Sequence, residues 1–301
     1  MGRQADANAL VPLPLRDGVA PSYLWLDDPA PGAALDYLSA RFPEVGAAVW
    51  RARMARCDVV DGAGRAIAPE TLLKRGMRLW YYREIEAETP IPFEETILFR
   101  DAHLLVADKP HFLPTTPGGR FLRKSLLVRL KDKLGEAQLT PIHRLDRETA
   151  GVVLFSLRAD SRGAYQSLFQ QRGVDKVYEA LAAPMARSFP FTYRSRIVKG
   201  TPFFRMREEA GEPNAETLVD LAGMHGALAL YRLQPRTGRQ HQLRVHMAAL
   251  GAPIANDSFY PDALPQGPDD FTRPLKLLAR SIAFIDPISG QRRRFDSART
   301  L

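Results

Sequence analysis

The feature that most constrains the fold is an acidic stretch with two prolines, residues 84–95, which separates two regions of different pattern. Pro90 and Pro92 break any helix or central strand that would cross this stretch. A chain of 301 residues is also longer than one small hydrophobic core needs. We therefore predict an acidic linker over residues 86–94, with a small N-terminal region before it and a larger domain over residues 95–301.

The N-terminal region predicts two short helices followed by a small sheet. Residues 1–30 are rich in proline and predict an irregular extension. Within residues 31–85, apolar side chains first recur at helical spacing, with a break at Pro43, and then alternate as short strands around an Asp-Gly turn. This order of elements resembles the S-four-like RNA-binding module of ribosomal proteins. A small α+β appendage without RNA contact is the alternative.

The larger domain predicts an α+β fold. Residues 97–110 alternate as two strands around a turn, and residues 152–155 are a short apolar run typical of a buried strand. Strands and helices are mixed after this point without a regular βαβ rhythm. This favours a mixed sheet over a doubly wound parallel one.

The positive charge of the chain is concentrated in the larger domain. The net charge of +8 combines 11 basic and 12 acidic side chains in residues 1–90 with 31 and 22 in residues 91–301. Cations cluster with few acids in residues 120–133, 194–207, 232–244 and 273–299. An arginine-biased composition, with 34 Arg and 8 Lys, would explain the number of cations but not the local lack of acids. We predict a polyanion as partner.

Several classes of protein are disfavoured by what the sequence lacks. Cys57 is the only cysteine, which excludes an internal disulfide or a cysteine-based zinc cluster and fits a reducing compartment. There is no run of about 18 apolar residues, and the first residues lack a basic start followed by an apolar stretch. We therefore expect a cytoplasmic protein that does not associate with membranes.

The densest group of reactive side chains lies in residues 141–151 (PIHRLDRETAG). Asp146 stands between Arg144 and Arg147, in a predicted turn that leads into the apolar strand. Nearby cations favour an ionised carboxylate, which suits a nucleophile or an electrostatic stabiliser better than a general acid. Taken alone, this arrangement is also typical of a surface ion pair.

A second polar segment covers residues 236–246 (RTGRQHQLRVH). We predict a strand over residues 240–246, and its period of two would place Gln240, Gln242, Arg244 and His246 on one face. Such a polar face would suit the floor of a cleft. A zinc site at His241 and His246 is excluded, because these residues would lie on opposite strand faces, or about 140° apart on a helix.

Three blocks resemble the RluA family of pseudouridine synthases, in the order found in that family. They are residues 143–151 (HRLDRETAG), 176–180 (KVYEA) and 237–246 (TGRQHQLRVH), the last continuing to 251–254 (GAPI). The resemblance extends over residues 95–301. The chain departs from the family pattern at Ala150, Gln240 and residues 255–257, where Ser, Thr and Gly-Asp are usual. None of these positions is expected to act in the chemistry.

The resemblance implies a role for each matching residue. Asp146 would be the nucleophile that attacks the target uridine, at the sugar or at the base. Tyr178 would stack on the uracil ring, and Arg244 would pair with Asp146. Leu243 would line the base pocket, and Arg144 would help hold open the site of the flipped-out nucleotide. The other substrate-binding residues would be Arg147, Arg239 and Gln240. Leu243 and Arg244 face opposite sides of the predicted strand, so a bulge or a strand end is needed for both to border the site.

The resemblance also implies the fold and the partner. We expect a pseudouridine-synthase-like mixed, mainly antiparallel sheet with flanking helices and loops, in a monomer that binds RNA. Ribosomal RNA is the first expected target and tRNA the second. The isomerisation is redox-neutral and needs no metal or cofactor, and the sequence has no P-loop or Rossmann fingerprint. One alternative is a catalytically silent RNA-binding protein of the same fold. The other is a cofactor-free hydrolase, for which the sequence places no second carboxylate as general acid.

Overall fold

The computed structural model describes residues 11–16, 19–27, 32–83, 88–202, 204–264 and 267–301. Contacts within the chain divide it into two compact units, Met1–Glu88 and Thr89–Leu301. No helix of the described residues is long and apolar enough to cross a membrane.

In the part of the smaller unit that the structure describes, there are two helices and three strands. Its elements are β1 (Ser22–Trp25), α1 (Ala34–Arg41), α2 (Ala47–Ala55), β2 (Val59–Val60) and β3 (Arg78–Tyr81). The strands form an antiparallel sheet in the order β1-β3-β2. Leu38 of α1, Trp50 of α2 and Leu79 of β3 are fully buried in one core cluster, so the helices and the sheet share a single small core.

Two details of the N-terminal organisation differ from the sequence prediction. Residues 1–30 predict an irregular extension, but β1 lies within them and pairs with β3 along its whole length. Its alternation covers only four residues, which is too short to stand out among prolines. Residues 86 and 87 of the predicted linker lie outside the described residues. Ile91 of the same linker is buried in a core cluster of the larger unit, so this part of the linker is built into that unit.

The described residues of the larger unit form eleven strands and three helices. The strands are β4 (Thr96–Arg100), β5 (Leu104–Lys109), β6 (Thr140–Pro141), β7 (Ala150–Ser156), β8 (Val174–Ala182), β9 (Phe191–Lys199), β10 (Met206–Glu209), β11 (Ala215–His225), β12 (Leu228–Pro235), β13 (Leu277–Ile285) and β14 (Arg292–Asp296). The helices are α3 (Leu126–Leu134), α4 (Ala159–Gln170) and α5 (Gln242–Ala249).

The strands of the larger unit form one sheet in the order β10-β9-β11-β12-β8-β13-β7-β5-β4, with β14 added to β13 and β6 to β7. Among the paired strands of the described residues, β7 and β13 are parallel and the other pairs are antiparallel. The predicted α+β fold with a mixed, mainly antiparallel sheet is therefore confirmed.

The parallel junction between β7 and β13 organises the centre of the sheet. Ala279 of β13 is paired with Gly151 on one side and with Tyr178 of β8 on the other. Gly151 has a φ of +114°, and a Cβ atom at this position would lie 2.2 Å from the carbonyl oxygen of Ala279. Only glycine allows this approach. The junction brings the turn that carries Asp146, just before β7, close to the strand that carries Tyr178.

Candidate active site

A buried lysine, Lys109, fixes the turn that carries Asp146. The Nζ atom of Lys109 donates to the carbonyl oxygens of Pro110, Leu113 and Arg147 at 3.1, 2.8 and 3.1 Å. Lys109 is fully buried, and burial lowers its pKa to about 7, against the opposing effect of nearby carboxylates. Its three hydrogens match three carbonyl acceptors, so the side chain ties the backbone after Asp146 to the end of β5.

Two further side chains hold the same turn. The hydroxyl of Thr115 donates to the carbonyl of Leu145 at 2.9 Å and accepts from the amide of the same residue at 3.1 Å. The Nδ1 atom of His111 lies 2.7 Å from the carbonyl oxygen of Glu148. Hydrogen bonds from side chains to the backbone therefore fix the chain on both sides of Asp146. The side chain of Asp146 itself is 22% exposed.

Arg244 places a positive charge beside Asp146. Its Nη1 atom lies 3.7 Å from Oδ2 of Asp146 and 3.5 Å from Oε2 of Glu148. Its Nε and Nη2 atoms donate to the carboxylate of Asp257 at 2.8 and 2.6 Å. The side chain of Arg244 is 1% exposed, and Nη1 is buried without a hydrogen-bond partner. The one unbonded end of this guanidinium therefore faces two carboxylates.

Asp257 holds Arg244 in this orientation. Its side chain is fully buried, and Oδ1 also accepts from the backbone amides of Phe259 and Tyr260 at 2.8 and 3.2 Å. The ring of Phe259 lies 4.7 Å from Cζ of Arg244, which adds a cation–π contact. Bidentate pairing and ring contact leave the guanidinium little freedom to turn.

Glu148 is a second acid in the site. Burial alone would raise its pKa, but the guanidinium groups of Arg244 and Arg147 outweigh burial and lower the pKa. Its Oε1 atom accepts from Nε of Arg147 at 3.1 Å. Glu148 is therefore an ionised, mostly buried carboxylate bound between two arginines, and this does not suit a general acid.

His241 approaches Asp146 from the start of α5. Its Nε2 atom lies 3.8 Å from Oδ2 of Asp146, and its Nδ1 atom lies 3.0 Å from the hydroxyl of Tyr260. That hydroxyl also accepts from the amide of Met206 at 2.8 Å. Burial lowers the pKa of His241, so the ring is neutral near neutral pH, and its Nε2 atom faces the carboxylate of Asp146.

Tyr178 and Leu243 are the two apolar residues that the sequence predicts for the site. Tyr178 of β8 is half-buried and packs against two core clusters, and Leu243 of α5 belongs to one of them. Burial raises the pKa of Tyr178, and the charge of Asp146 raises it further. The phenol is therefore protonated near neutral pH.

The predicted strand over residues 240–246 is wrong, because residues from Gln242 onwards form α5. His241 caps this helix with a left-handed φ of +54°. Six consecutive residues of α5 are buried, Gln242 to Met247, because the helix is covered on nearly all sides. Such a helix has no apolar stripe that the sequence could display. On a helix, successive residues are about 100° apart, so Leu243 and Arg244 both border the site without a bulge.

The two arginines next to Asp146 in the sequence do not pair with it. Arg144 is exposed and has no hydrogen bond or ion pair with any described residue. Arg147 donates to Asp269 at 3.0 and 2.8 Å and to Glu148. Arg244 supplies the cation beside Asp146 instead, from a distant part of the chain.

The remaining predicted residues lie at the exposed start of α5. Arg239 and Gln240 are both exposed, and Nε of Arg239 donates to the carbonyl of Asn214 at 3.2 Å. No role was predicted for Gln242. Its side-chain amide donates to the carbonyl of Glu216 and to the hydroxyl of Thr217, and so connects this turn to β11. In the described parts of the chain, no group of three or more His, Cys, Asp or Glu side chains is placed to hold a metal ion.

Four residues of the site were not predicted: Lys109, Glu148, His241 and Asp257. Each acts through contacts with residues far away in the sequence. The sequence signal for Asp257 was its place in the block after residues 251–254, where the family has Gly-Asp. Glu148 and His241 lie within the blocks 143–151 and 237–246, but nothing in these blocks indicated their contacts.

Comparison with known proteins identifies the class. A family model described as RNA pseudouridylate synthase matches residues 103–249. The dual-specificity RNA pseudouridine synthase RluA of Haemophilus influenzae is 31% identical over 219 residues, which cover 71% of this chain and 97% of that protein. The ribosomal large subunit pseudouridine synthase C of Escherichia coli is 32% identical over 234 residues, or 71% of each protein.

A solved structure agrees with these matches. Human RNA pseudouridylate synthase domain containing 4 superposes with a TM-score of 0.53 at 27% identity, over 66% of this chain and 87% of that one. The class that these findings define is the RNA pseudouridine synthases, which are isomerases that act on uridine in RNA. Within this class, the chain belongs to the RluA-type family.

Proposed function

We propose that this isomerase uses Asp146 as the nucleophile that attacks a uridine flipped out of structured RNA. The observation that carries this proposal is the position of Asp146 in a fixed turn, beside the unbonded Nη1 atom of the buried Arg244. A carboxylate taken out of water needs such a partner to stay ionised and oriented. Glu148 lies 3.5 Å from the same Nη1 atom, but its side chain is 14% exposed and already accepts from Arg147, so Asp146 is the more accessible carboxylate of the two.

The reaction replaces the bond that joins the uracil base to the ribose. The C1′–N1 bond of uridine breaks, the base turns, and a C1′–C5 bond forms; C5 loses a proton and N1 gains one. The carboxylate of Asp146 adds either to C1′ or to the base, and it is released when the C1′–C5 bond has formed and the product leaves. No electrons leave the substrate, so the balance requires no redox cofactor.

The neighbouring residues fit a pocket for one base. Tyr178 would stack on the uracil, and Leu243 would cover an edge of it, so that the detached base stays in place and water is excluded. Extrusion of the base from a helix costs a few kcal/mol. Arg144, which is exposed and unpaired among the described residues, would hold the RNA open at the flipped nucleotide.

The substrate-binding role of the other residues follows from their exposure. Arg239 and Gln240 are proposed to contact the RNA backbone at the start of α5. Arg147 is proposed to shape the edge of the site, because its guanidinium is already bound to Asp269 and Glu148. The basic clusters of the larger unit would attract RNA from solution.

We propose ribosomal RNA of the large subunit as the first target, because the relative from Escherichia coli is named for that subunit. tRNA is the second target to test. We also propose a cytoplasmic monomer: the lone thiol of Cys57 fits a reducing compartment, and one chain supplies every group of the site. Sizing of the purified chain tests the monomer.

Release of tritium from RNA labelled at C5 of uridine tests the catalytic proposal. The wild-type chain should release tritium from unmodified ribosomal RNA or tRNA, and Asp146→Asn should reduce the rate at least about 10⁴-fold. Asp160→Asn is the matched control, because Asp160 is exposed and paired only with Arg158. Undiminished release by Asp146→Asn would overturn the role of Asp146. RNA binding without tritium release by the wild type would instead indicate the catalytically silent RNA-binding protein.

A further inference from the structure

An aromatic surface lies on the smaller unit, outside the site described above. Along β1 and β3, Leu24, Leu79 and Tyr81 face the core. Because side chains alternate along a strand, the intervening residues share the opposite face of the sheet. In the register of the two strands, Tyr23 is opposite Trp80 and Trp25 is opposite Arg78. These four side chains, Tyr23, Trp25, Arg78 and Trp80, form what we call the aromatic platform.

The platform is open to solvent. Tyr23 is 55% exposed and Trp25 is 44% exposed, while Trp80 lies beneath with its ring 5.0 Å from that of Tyr23. A large aromatic side chain that is buried in a core contributes several kcal/mol to stability. Rings that stay this exposed contribute much less. A cluster of exposed rings therefore indicates a binding surface more than a packing one.

Arg78 lies among the rings. Its Cζ atom is 4.0 Å from the ring centroid of Trp25, 5.2 Å from that of Tyr23 and 5.5 Å from that of Trp80. Its guanidinium has no carboxylate partner in the described part of the chain. The charge of Arg78 is therefore available to a ligand. Its contacts with the three rings restrain the side chain on the platform.

A cavity of about 360 Å³ adjoins the platform. It is lined by Trp25, Arg78 and Trp80, and by the turn from Asp61 to Arg65. The carboxylate of Asp61 is already bound by the Arg65 side chain at 2.8 Å and by backbone amides. This space is sufficient for one nucleotide, and its walls offer two indole rings and two guanidinium groups.

We propose that the aromatic platform binds an unpaired nucleotide of the RNA substrate by stacking its base on Trp25. The proposal rests on the proposed action on RNA, since the platform would bind a second part of the same molecule. Every base has a π face, and stacking on exposed aromatic and arginine side chains is the usual way to bind single-stranded RNA.

Charge favours RNA as the occupant. Lys74 and Arg75 are exposed in the turn that leads into β3, and Arg65 borders the cavity. Arg65 is paired with Asp61, the acid among the described residues that line the cavity, so Arg78 is the unpaired cation of the cavity wall. The phosphates next to a stacked base would meet these cations. A base in a duplex has no free face, so the platform would select single-stranded segments.

The distribution of tryptophan makes the test specific. The three tryptophans of the chain, Trp25, Trp50 and Trp80, all lie in the smaller unit. Trp50 is fully buried and Trp80 is 7% exposed, so a base that stacks on the platform should quench mainly the emission of Trp25. Short oligoadenylate is the probe, because it contains no uridine and is not a substrate. A blunt G·C duplex of equal length is the control ligand.

The full-length chain should show tryptophan quenching with oligoadenylate and little with the duplex. Trp25→Ala lacks the reporter ring, so its affinity is measured by the anisotropy of end-labelled oligoadenylate, and it should weaken binding roughly 5- to 150-fold, the range for loss of one stacked base. Trp25→Phe retains a ring, so it should bind within a few-fold of wild type while the quenching is lost. Arg78→Gln should weaken binding and reduce the salt dependence by about one phosphate contact. Leu72→Ala, an exposed apolar residue of the same unit outside the cavity, should change neither.

Two results would overturn the proposal: no quenching by oligoadenylate, or wild-type affinity in Trp25→Ala. Thermal unfolding of each variant shows whether the fold is retained, and Trp25→Phe keeps the test valid if Trp25→Ala does not fold. Tritium release by the same wild-type preparation separates the two proposals. If tritium is released and no quenching occurs, the platform proposal alone fails; if no tritium is released, the catalytic proposal fails.

Discussion

Two arginine–aspartate pairs border the candidate active site with the same bidentate geometry and different burial. Arg244 and Asp257 are bonded at 2.8 and 2.6 Å, and their side chains are 1% and 0% exposed. Arg147 and Asp269 are bonded at 3.0 and 2.8 Å, and their side chains are 22% and 6% exposed. Asp269 also accepts from the exposed Arg120.

The difference shows what each pair does. Both ions of the buried pair have lost their water, at a cost of several kcal/mol for each ion. Hydrogen bonds to nearly all of their polar atoms offset this cost. Even so, Nη1 of Arg244 is left without a hydrogen bond and faces Asp146. We therefore propose that the buried pair positions a cation for the reaction. The partly exposed pair fastens the turn after Asp146 to a surface loop.

The largest effect is expected from Asp257→Asn. This change removes the carboxylate that binds Nε and Nη2 of the buried Arg244. The free energy of unfolding should therefore fall by about 3–5 kcal/mol. The rate of tritium release should fall about 100-fold, because Nη1 loses its orientation. Urea denaturation and single-turnover tritium release measure the two effects.

A double variant sharpens this prediction. Arg244→Met combined with Asp257→Leu removes both buried charges, so it should recover much of the stability lost in Asp257→Asn without recovering activity. A double variant no more stable than Asp257→Asn would show that the buried charge is not the cause of the loss.

A smaller effect is expected from Asp269→Asn. Water partly screens this pair, so the free energy of unfolding should fall by about 1–2 kcal/mol and tritium release by less than about tenfold. Arg120→Gln is the matched control at the exposed edge of the same cluster and should change stability by less than about 0.5 kcal/mol. If Asp269→Asn is as costly as Asp257→Asn, burial does not distinguish the two pairs.

The smallest effect is expected from mild acid, which leaves arginine charged and acts on buried histidine instead. The ring of His246 lies 3.1 Å from the Ser195 hydroxyl and 3.0 Å from that of Thr217, and burial lowers its pKa to about 4. Between pH 6.5 and 4 the unfolded chain binds a proton here that the folded chain does not, so stability falls as the pH falls.

One such histidine accounts for a loss of about 1 kcal/mol between pH 6.5 and 5.5. His246→Gln should therefore lose less stability than wild type over this interval, while Asp269→Asn should show the wild-type pH dependence. Urea denaturation at the two pH values measures the difference. Equal pH dependence in His246→Gln and wild type would contradict the prediction.

The sequence predicted those elements whose side chains alternate between core and solvent, or whose breaks are explicit. The strands at residues 97–110 were predicted because a short polar turn separates two apolar runs, and they are β4 and β5. α5 was missed because six consecutive residues are buried, which removes the amphipathic period. β1 was missed because four residues are too few to establish alternation. Burial by neighbouring elements, which the sequence does not show, decided the case of α5.

The candidate site was predictable to the extent that its residues lie in recognisable blocks. Asp146, Tyr178 and Arg244 were named from three such blocks, and the structure brings them around one junction of the sheet. Lys109 and Asp257 could not be assigned their contacts in advance, because each depends on chain segments that meet only in the folded unit. The partner of Asp146 was likewise found in α5 and not among the adjacent arginines.

The parallel pairing of β7 with β13 has a consequence for the order in which the enzyme is made. Residues 150 and 151 pair with residues 278 and 279, so the strand that joins the Asp146 turn to the Tyr178 strand is synthesised long after both of them. Contacts between such distant residues form slowly, and domains fold as their segments emerge from the ribosome. A nascent chain that has not yet reached Ala279 therefore lacks the central strand of the candidate site, and the enzyme becomes competent only after that strand has been made.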